Sequence, residues 1–200
     1  VSTPSLQRIE NSLRHHRPRR KFLRRFMQRS AVAMILSQHQ GGPHILMIKR
    51  AERKGDPWSG HMAFPGGRMD PDDAHGFAVA NRETEEEIGV RLADCARYIG
   101  RLSDIRARPR WGVLGLAVSP FVFRLEQDVE CTPNYEVAEV VWVPLALLLD
   151  AGNRQTMVWE RGRLKLTLPC YFHEGRRIWG LSLMMLDELL GLKTKVGSEG

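Results

Sequence analysis

With 200 residues, 42% of them hydrophobic and 26% charged, the chain is long enough to bury one ordinary core without disulfide staples. Its three cysteines, Cys95, Cys131 and Cys170, fit neither a disulfide framework nor a C-x-x-C metal clip, and its longest apolar run, Trp111 to Phe123, is too short to span a membrane and is broken by Ser119 and Pro120. A soluble protein of a reducing compartment, by default the cytoplasm, is therefore expected, and its net charge of +7 is not spread evenly: residues 1–29 hold nine Lys/Arg against Glu10, which leaves the remainder near −1.

Along the chain, Leu6, Ile9 and Leu13 predict a short first helix, and Pro18 interrupts the chain within the basic stretch "RHHRPRRKFLRRFMQR" that follows it. In that basic stretch Phe22, Leu23, Phe26 and Met27 recur at helical spacing. An amphipathic helix lying on the domain is expected, the alternatives being a mitochondrial address and a patch for anionic ligands. "SAVAMILSQ" and "HILMIKR", separated by "HQGGP", read as two strands and a turn. A polar loop containing Trp58 and His61 leads to "AFPGG". Beyond residue 90, "YIGRLSDI", "GVLGLAVSPFVFRL" and "EVAEVVWVPL" are strand-like, and Pro144 stands where a helix "PLALLLD" could start. The chain closes on "IWGLSLMMLDELLGL", whose apolar stripe is Ile178, Leu181, Met185 and Leu189. Strands interrupted by a few helices indicate one α/β (α+β) domain with helices packed on a sheet.

The stretch "AFPGGRMDPDDAHGFAVANRETEEEIGV" carries the chemistry. Asp72 and Asp73 are predicted N-caps of a helix running to Ile88, with Gly89 as its stop. At about 100° per residue, Phe77, Ala80, Thr84 and Ile88 form the buried stripe, Glu83, Glu86 and Glu87 share an adjacent face, and Arg82 and Glu85 point elsewhere. Like charges so placed repel one another unless a cation sits among them, and oxygen-only ligands suit Mg²⁺ or Mn²⁺ with a substrate phosphate completing the shell. Gly66 and Gly67, just upstream, permit a close backbone approach.

These residues resemble the Nudix box, G-x(5)-E-x(7)-R-E-U-x-E-E-x-G-U with U a bulky aliphatic. Arg82, Glu83, Glu86, Glu87, Gly89 and Val90 match, whereas the early Glu is Asp73, one residue is added before Arg82, and Thr84 replaces the first aliphatic. The first two departures agree with the coenzyme A diphosphatase branch of the family, as do "NYEVAEVVWVPLALLL" and "YFHEGRRIWGLSLMMLDEL". The signature of that branch ahead of the box is only partly kept. Arg50, Ala51, Gly60 and Phe64 to Gly67 are present, but the threonine is lost, Gly55 stands where a second arginine would fall, and one residue is inserted.

The resemblance implies a Nudix-like α/β/α sandwich with a mixed sheet. It also implies metal binding by Glu83, Glu86, Glu87 and the Gly67 carbonyl, with Arg82 as an organising ion-pair partner. The implied organisation is a basic extension over 1–29, a hydrolase domain over 30–192 and a tail over 193–200. The implied reaction is Mg²⁺- or Mn²⁺-dependent cleavage of a nucleoside diphosphate linked to another group. Coenzyme A or acyl-CoA leads as substrate, with ADP-ribose, a dinucleotide or a nucleoside triphosphate as alternatives. The identity of the proton acceptor is open, the candidates being a box glutamate, Glu136, Glu139 or another residue. Arg50, Arg106, Arg108 and Arg110 are the candidate phosphate contacts, and Trp111 a candidate base stack. The rival of another class is a non-catalytic nucleotide- or RNA-binding module, which three retained and mutually repelling carboxylates disfavour. Nucleic-acid binding rests only on the amino-terminal charge, and a homodimer stays open.

Overall fold

A computed structural model describes residues 5–22, 24–55, 58–107, 115–161 and 164–191. Helix α1 (Leu6–His15) is capped by Ser5, whose side chain accepts from the Arg8 N–H, and carries Arg14 and His15 in its last turn, where cations favour the helix dipole. Its buried face is Leu6, Ile9, Glu10 and Leu13. The Glu10 carboxylate is enclosed and satisfied by Arg97 at 3.0 Å and Arg124 at 2.7 Å.

The basic segment that follows is not a second amphipathic helix. Among the described residues between 16 and 27 the only helical piece is a single 3₁₀ turn, Arg24–Phe26, and Phe22 and Phe26 are 97% and 61% exposed. Leu23 lies outside the described residues, and of the expected stripe only Met27 is buried. Buried Asp104 decides this course: it accepts from the Lys21 N–H and pairs with Arg24 at 3.2 Å and with Arg101, while its own N–H donates to the Arg19 carbonyl. Extended backbone lets one buried carboxylate collect these donors, and that outweighs the local helical spacing.

The main sheet is mixed. Strands β1 (Gln28–His39) and β2 (Gly42–Arg50) pair antiparallel, and short β3 (Met62–Ala63) and β4 (Gly66–Arg68) pair with β2 and β1 respectively. Helices α2 (Gly76–Ile88) and α3 (Leu92–Cys95) precede β5 (Ala96–Arg101) and β6 (Ile105–Ala107), both of which pair antiparallel with β7 (Leu116–Leu125). Strand β7 runs parallel to β1, and β8 (Val137–Pro144) closes the other side on β2. Then come α4 (Leu145–Leu149), an antiparallel three-stranded sheet of β9 (Gln155–Arg161), β10 (Leu164–His173) and β11 (Arg176–Trp179), and α5 (Gly180–Gly191).

Strand alternation explains the layers. On β2, Ile45 and Met47 face one core, shared with α1, α4 and α5, while Leu46 and Ile48 face another, shared with α2 and α3. Helices therefore cover both faces of a mixed sheet, the sandwich that the sequence resemblance implies. The last helix buries Ser182, Leu183, Met185, Leu186 and Leu189. Ile178 belongs to β11 and Leu181 is only half-buried, so the expected stripe is rotated toward the hairpin that feeds it. No described helix is long and apolar enough to cross a membrane.

Because α1 fills the core rather than lying on it, Ile9→Ala is expected to destabilise the protein by about 2–4 kcal/mol, the range for truncating a buried aliphatic side chain. A urea midpoint equal to that of the wild type would contradict the packing of α1.

Candidate active site

Strand β4 enters where β1 and β2 separate, with Ala31 opposite Gly67 and Val32 opposite Gly66. The two glycines are needed for different reasons. Gly66 has φ of +155°, and a Cβ there would collide with the Ala31 carbonyl and the Val32 backbone, so only glycine fits. The nearest atoms that a Cβ on Gly67 would meet are all those of the Glu83 carboxylate, so that glycine makes room for a side chain. The Gly66 N–H donates to Glu87 Oε2 at 2.9 Å, and the Gly67 carbonyl accepts from the Ser30 hydroxyl.

Helix α2 begins two residues after its expected start, and its N-cap is His75, whose Nδ1 accepts from the Ala78 N–H at 3.1 Å. Asp72 and Asp73 do not cap it. Asp73 accepts instead from the Asp70 N–H and from Arg82 Nε and Nη2, and the Arg82 guanidinium holds its carboxyl below the usual range. The buried face is Val79, Ala80, Thr84, Glu87 and Ile88. Thr84 tolerates full burial because its hydroxyl donates to the Ala80 carbonyl at 2.7 Å, which explains a threonine where the box has an aliphatic.

The three glutamates do share a face, at graded depth. Glu87 is 3% exposed, the Glu83 side chain 17% and the Glu86 side chain 53%. Arg82 does not point away from them as helical spacing predicts, because its long side chain reaches back to Glu83 at 3.1 Å, Glu86 at 3.0 Å and Asp73 at 3.0 Å. Glu85, by contrast, turns to Arg91 at 2.9 Å. Burial pushes the Glu87 carboxyl up to about 7; the Gly66 N–H and the Arg50 charge oppose the rise, and Glu83 and Glu136 add to it. Burial also raises Glu83, against the pull of Arg82.

The helix ends at Gly89 with φ of 71°, and its last carbonyls are taken by a later loop. Thr132 N–H donates to Ile88, Asn134 N–H to Glu87 and Asn134 Nδ2 to the Glu86 carbonyl, while Asn134 Oδ1 accepts from the Glu136 N–H. Asn134 is thus the residue that sequence reasoning missed, although it opens the quoted "NYEVAEV". Its loop brings Glu136, paired with Arg53 at 3.0 Å, close enough to influence Glu87. Glu139 stands apart, tied to Lys49 at 2.9 Å and to Arg176 at 2.7 Å, which hold it below the usual carboxylate range.

Of the candidate arginines, Arg50 ends β2 on the Glu87 side and Arg106 is exposed on β6. Arg108, Arg110 and Trp111 lie outside the described residues. His61 packs edge-on against Trp179, ring centroids 5.1 Å apart, and its carbonyl accepts from the Arg50 N–H.

A mixed sheet between helices, with a two-glycine strand set against the glutamate face of one helix, is the architecture of a Nudix domain, and the NUDIX domain family model matches residues 27–164. The chain belongs to the Nudix family and is a Nudix hydrolase. It is 31% identical over 165 residues to the mitochondrial coenzyme A diphosphatase NUDT8 of Mus musculus, covering 82% of this chain and 77% of that protein. An uncharacterised protein of Schizosaccharomyces pombe is 37% identical over 131 residues, 64% of this chain but only 40% of that longer protein. A MutT/nudix family protein of Enterococcus faecalis superposes with a TM-score of 0.53 at 15% identity, covering 94% of this chain and 74% of that one, and shares the fold.

The donor set fits the divalent cation that the family implies: three carboxylates and a backbone carbonyl are hard oxygen ligands, and the Cβ-free notch at Gly67 is filled by one of the carboxylates. Among the described residues these groups are not already drawn together around one point. Glu86 is turned out to Arg82 and Glu87 in toward Gly66, and the Glu86 contact, an exposed i,i+4 pair, is weak enough to yield.

Burial of Glu87 has a measurable cost. Its folded pKa lies above the ordinary 4.5, so the stability of the protonated form is complete below pH 4.5 and is lost as pH rises through about 7. In metal-free buffer Glu87→Gln, which keeps an acceptor for the Gly66 N–H, is expected to melt close to the wild type near pH 4.5 and several degrees above it near pH 8. Thermal scans across that range check this, and a constant gap would contradict it.

Proposed function

We propose that the chain hydrolyses the diphosphate of coenzyme A or acyl-CoA, releasing 3′,5′-ADP and (acyl-)4′-phosphopantetheine, and that Glu83, Glu86, Glu87 and the Gly67 carbonyl hold the Mg²⁺ or Mn²⁺ it needs. The observation that carries the reaction is the seating of the Glu83 and Glu87 carboxylates against the Gly66–Gly67 backbone. A divalent cation bound there supplies charge neutralisation on the phosphoryl oxygens and acidifies water. The chain does the rest. Arg82 fixes the spacing of Glu83 and Glu86, and the Asn134 loop fixes the end of their helix. Of the two strand-end glutamates, Glu136 is favoured as proton acceptor because it lies near Glu87, whereas Glu139 is neutralised by two cations. Arg50, beside Glu87, is favoured among the candidate phosphate contacts.

The identity of the substrate is supported by the mitochondrial coenzyme A diphosphatase relative, whose designation also favours the mitochondrial compartment over the cytoplasmic one for this chain. Small-molecule chemistry is favoured over nucleic-acid binding because part of the amino-terminal charge is spent inside the fold, with Arg24 held on buried Asp104.

The test is a panel of coenzyme A, 3′-dephospho-coenzyme A, ADP-ribose and a dinucleotide with saturating Mg²⁺, products being identified by mass. Coenzyme A should show the highest kcat/KM. Glu86→Gln should lower turnover at least about 100-fold with little change in melting temperature, and Glu85→Gln, on the Arg91 side, should be nearly silent. A preference for ADP-ribose would defeat the choice of substrate, and wild-type turnover by Glu86→Gln would defeat the site.

A further inference from the structure

A cleft of about 270 Å³ opens between the loop ahead of β3 and the β10–β11 hairpin, lined by Lys49, His61, Met62, Arg176, Arg177 and Trp179 among others. Its size is just under the range of about 300–1,000 Å³ usual for small-molecule sites, so it suits one half of a bipartite substrate. Two rings and three cations line it, and among the described residues no carboxylate does. Glu139 lies beneath, fixing Lys49 and Arg176, and Glu174 holds Arg176 from the other side at 2.9 Å. Arg177 is different: it touches the Met157 sulfur at 3.9 Å and the face of Phe172 at 5.5 Å, and among the described residues no carboxylate pairs with it. The mouth is open at Gly175, where a side chain would meet nothing within 4 Å.

We infer that this cleft receives the phosphorylated nucleoside end of the substrate, with the base stacked on Trp179 beside His61 and a phosphate outside the scissile diphosphate bound by Arg177. The inference rests on the coenzyme A reading, which supplies a nucleoside with such a phosphate. Position sets the path such a substrate must take. Lys49 and Arg50 are the last two residues of β2, Lys49 lining the cleft and Arg50 acting on Glu87 from the other side of the sheet, so the substrate would pass round the end of that strand to reach both. From His61 through β3 to Gly66 the chain can span at most about 17 Å, which bounds the distance a nucleotide with its diphosphate at the glutamates would have to cover. Chemistry agrees with the inference. Base rings stack on an indole, and an exposed guanidinium that only a thioether and a ring face hold offers its fork of donors to phosphate. The flexible amide arm of the other half carries neither ring nor charge, and among the described residues Met62 alone lines the cleft with an aliphatic side chain.

The test measures binding without metal and turnover with it. Arg177 is exposed, so Arg177→Ala should fold like the wild type. It should weaken 3′,5′-ADP at least about 10-fold while changing 5′-AMP less than about twofold, as expected for one lost charge-assisted contact. Trp179→Leu should weaken both nucleotides. In turnover, Arg177→Ala should lower kcat/KM for coenzyme A about 10-fold and leave 3′-dephospho-coenzyme A nearly unchanged. Equal losses on the two substrates, or unchanged nucleotide affinities in both variants, would overturn the inference. A wild type that leaves coenzyme A uncut overturns the substrate reading instead, and the cleft is then judged by the two binding constants alone.

Discussion

The contact on which the structure turns is the one between the Gly66–Gly67 backbone and the carboxylates of Glu83 and Glu87. It exists because β4 is inserted beside β1 with no side chain at either glycine, and because α2 is pressed onto the same sheet face by Val79, Ala80 and Ile88. Moving the helix outward by the thickness of one methyl group would lose the Gly66 hydrogen bond. The ion pairs of Arg82 and the capping loop around Asn134 act on the same contact from its two ends.

That contact is held at a cost. A buried carboxyl whose pKa is lifted to about 7 is poorly solvated in its ionised form, and the neighbouring Glu83 is raised for the same reason. Elsewhere the buried acids are closely compensated: Glu10 has two arginines, and Asp104 has two arginines, a hydroxyl and a backbone donor. The contrast singles out the α2 face. Groups serving only the fold are paired to neutrality, whereas Glu87 keeps a charge deficit that a cation would meet.

The glutamate face, the close backbone approach at the two glycines, the first two strands and the stop at Gly89 were legible because each obeys a local rule of period or backbone geometry, whereas the short strand β4 that carries the glycines was not read. The course of residues 16–27 was not, because it follows one distant buried aspartate, Asp104, rather than its own helical spacing. The cap was misassigned because Arg82 competes for Asp73 and wins. The β9–β10 hairpin escaped notice because its outer positions, such as Val158 and Leu166, are exposed and its charged residues mask the alternation in "LKLTL". Asn134 was visible as a letter but not as a cap, since the carbonyls it satisfies lie almost fifty positions upstream. The cleft joins β2, the pre-box loop and β11, elements whose adjacency only the tertiary structure supplies.

Gly67 gives the most direct access to the central claim, because its φ lies outside the left-handed region and the nearest atoms to its missing Cβ are those of the Glu83 carboxylate. Gly67→Ala should therefore fold, with Glu83 displaced. The decisive measurement is a calorimetric Mn²⁺ titration of the wild type and this variant. The account predicts a well-defined site in the wild type and an affinity at least about tenfold lower in Gly67→Ala, as for loss of a positioned ligand. Equal Mn²⁺ affinity in the two proteins would show that the glycine notch and the glutamate seated in it do not form the metal site.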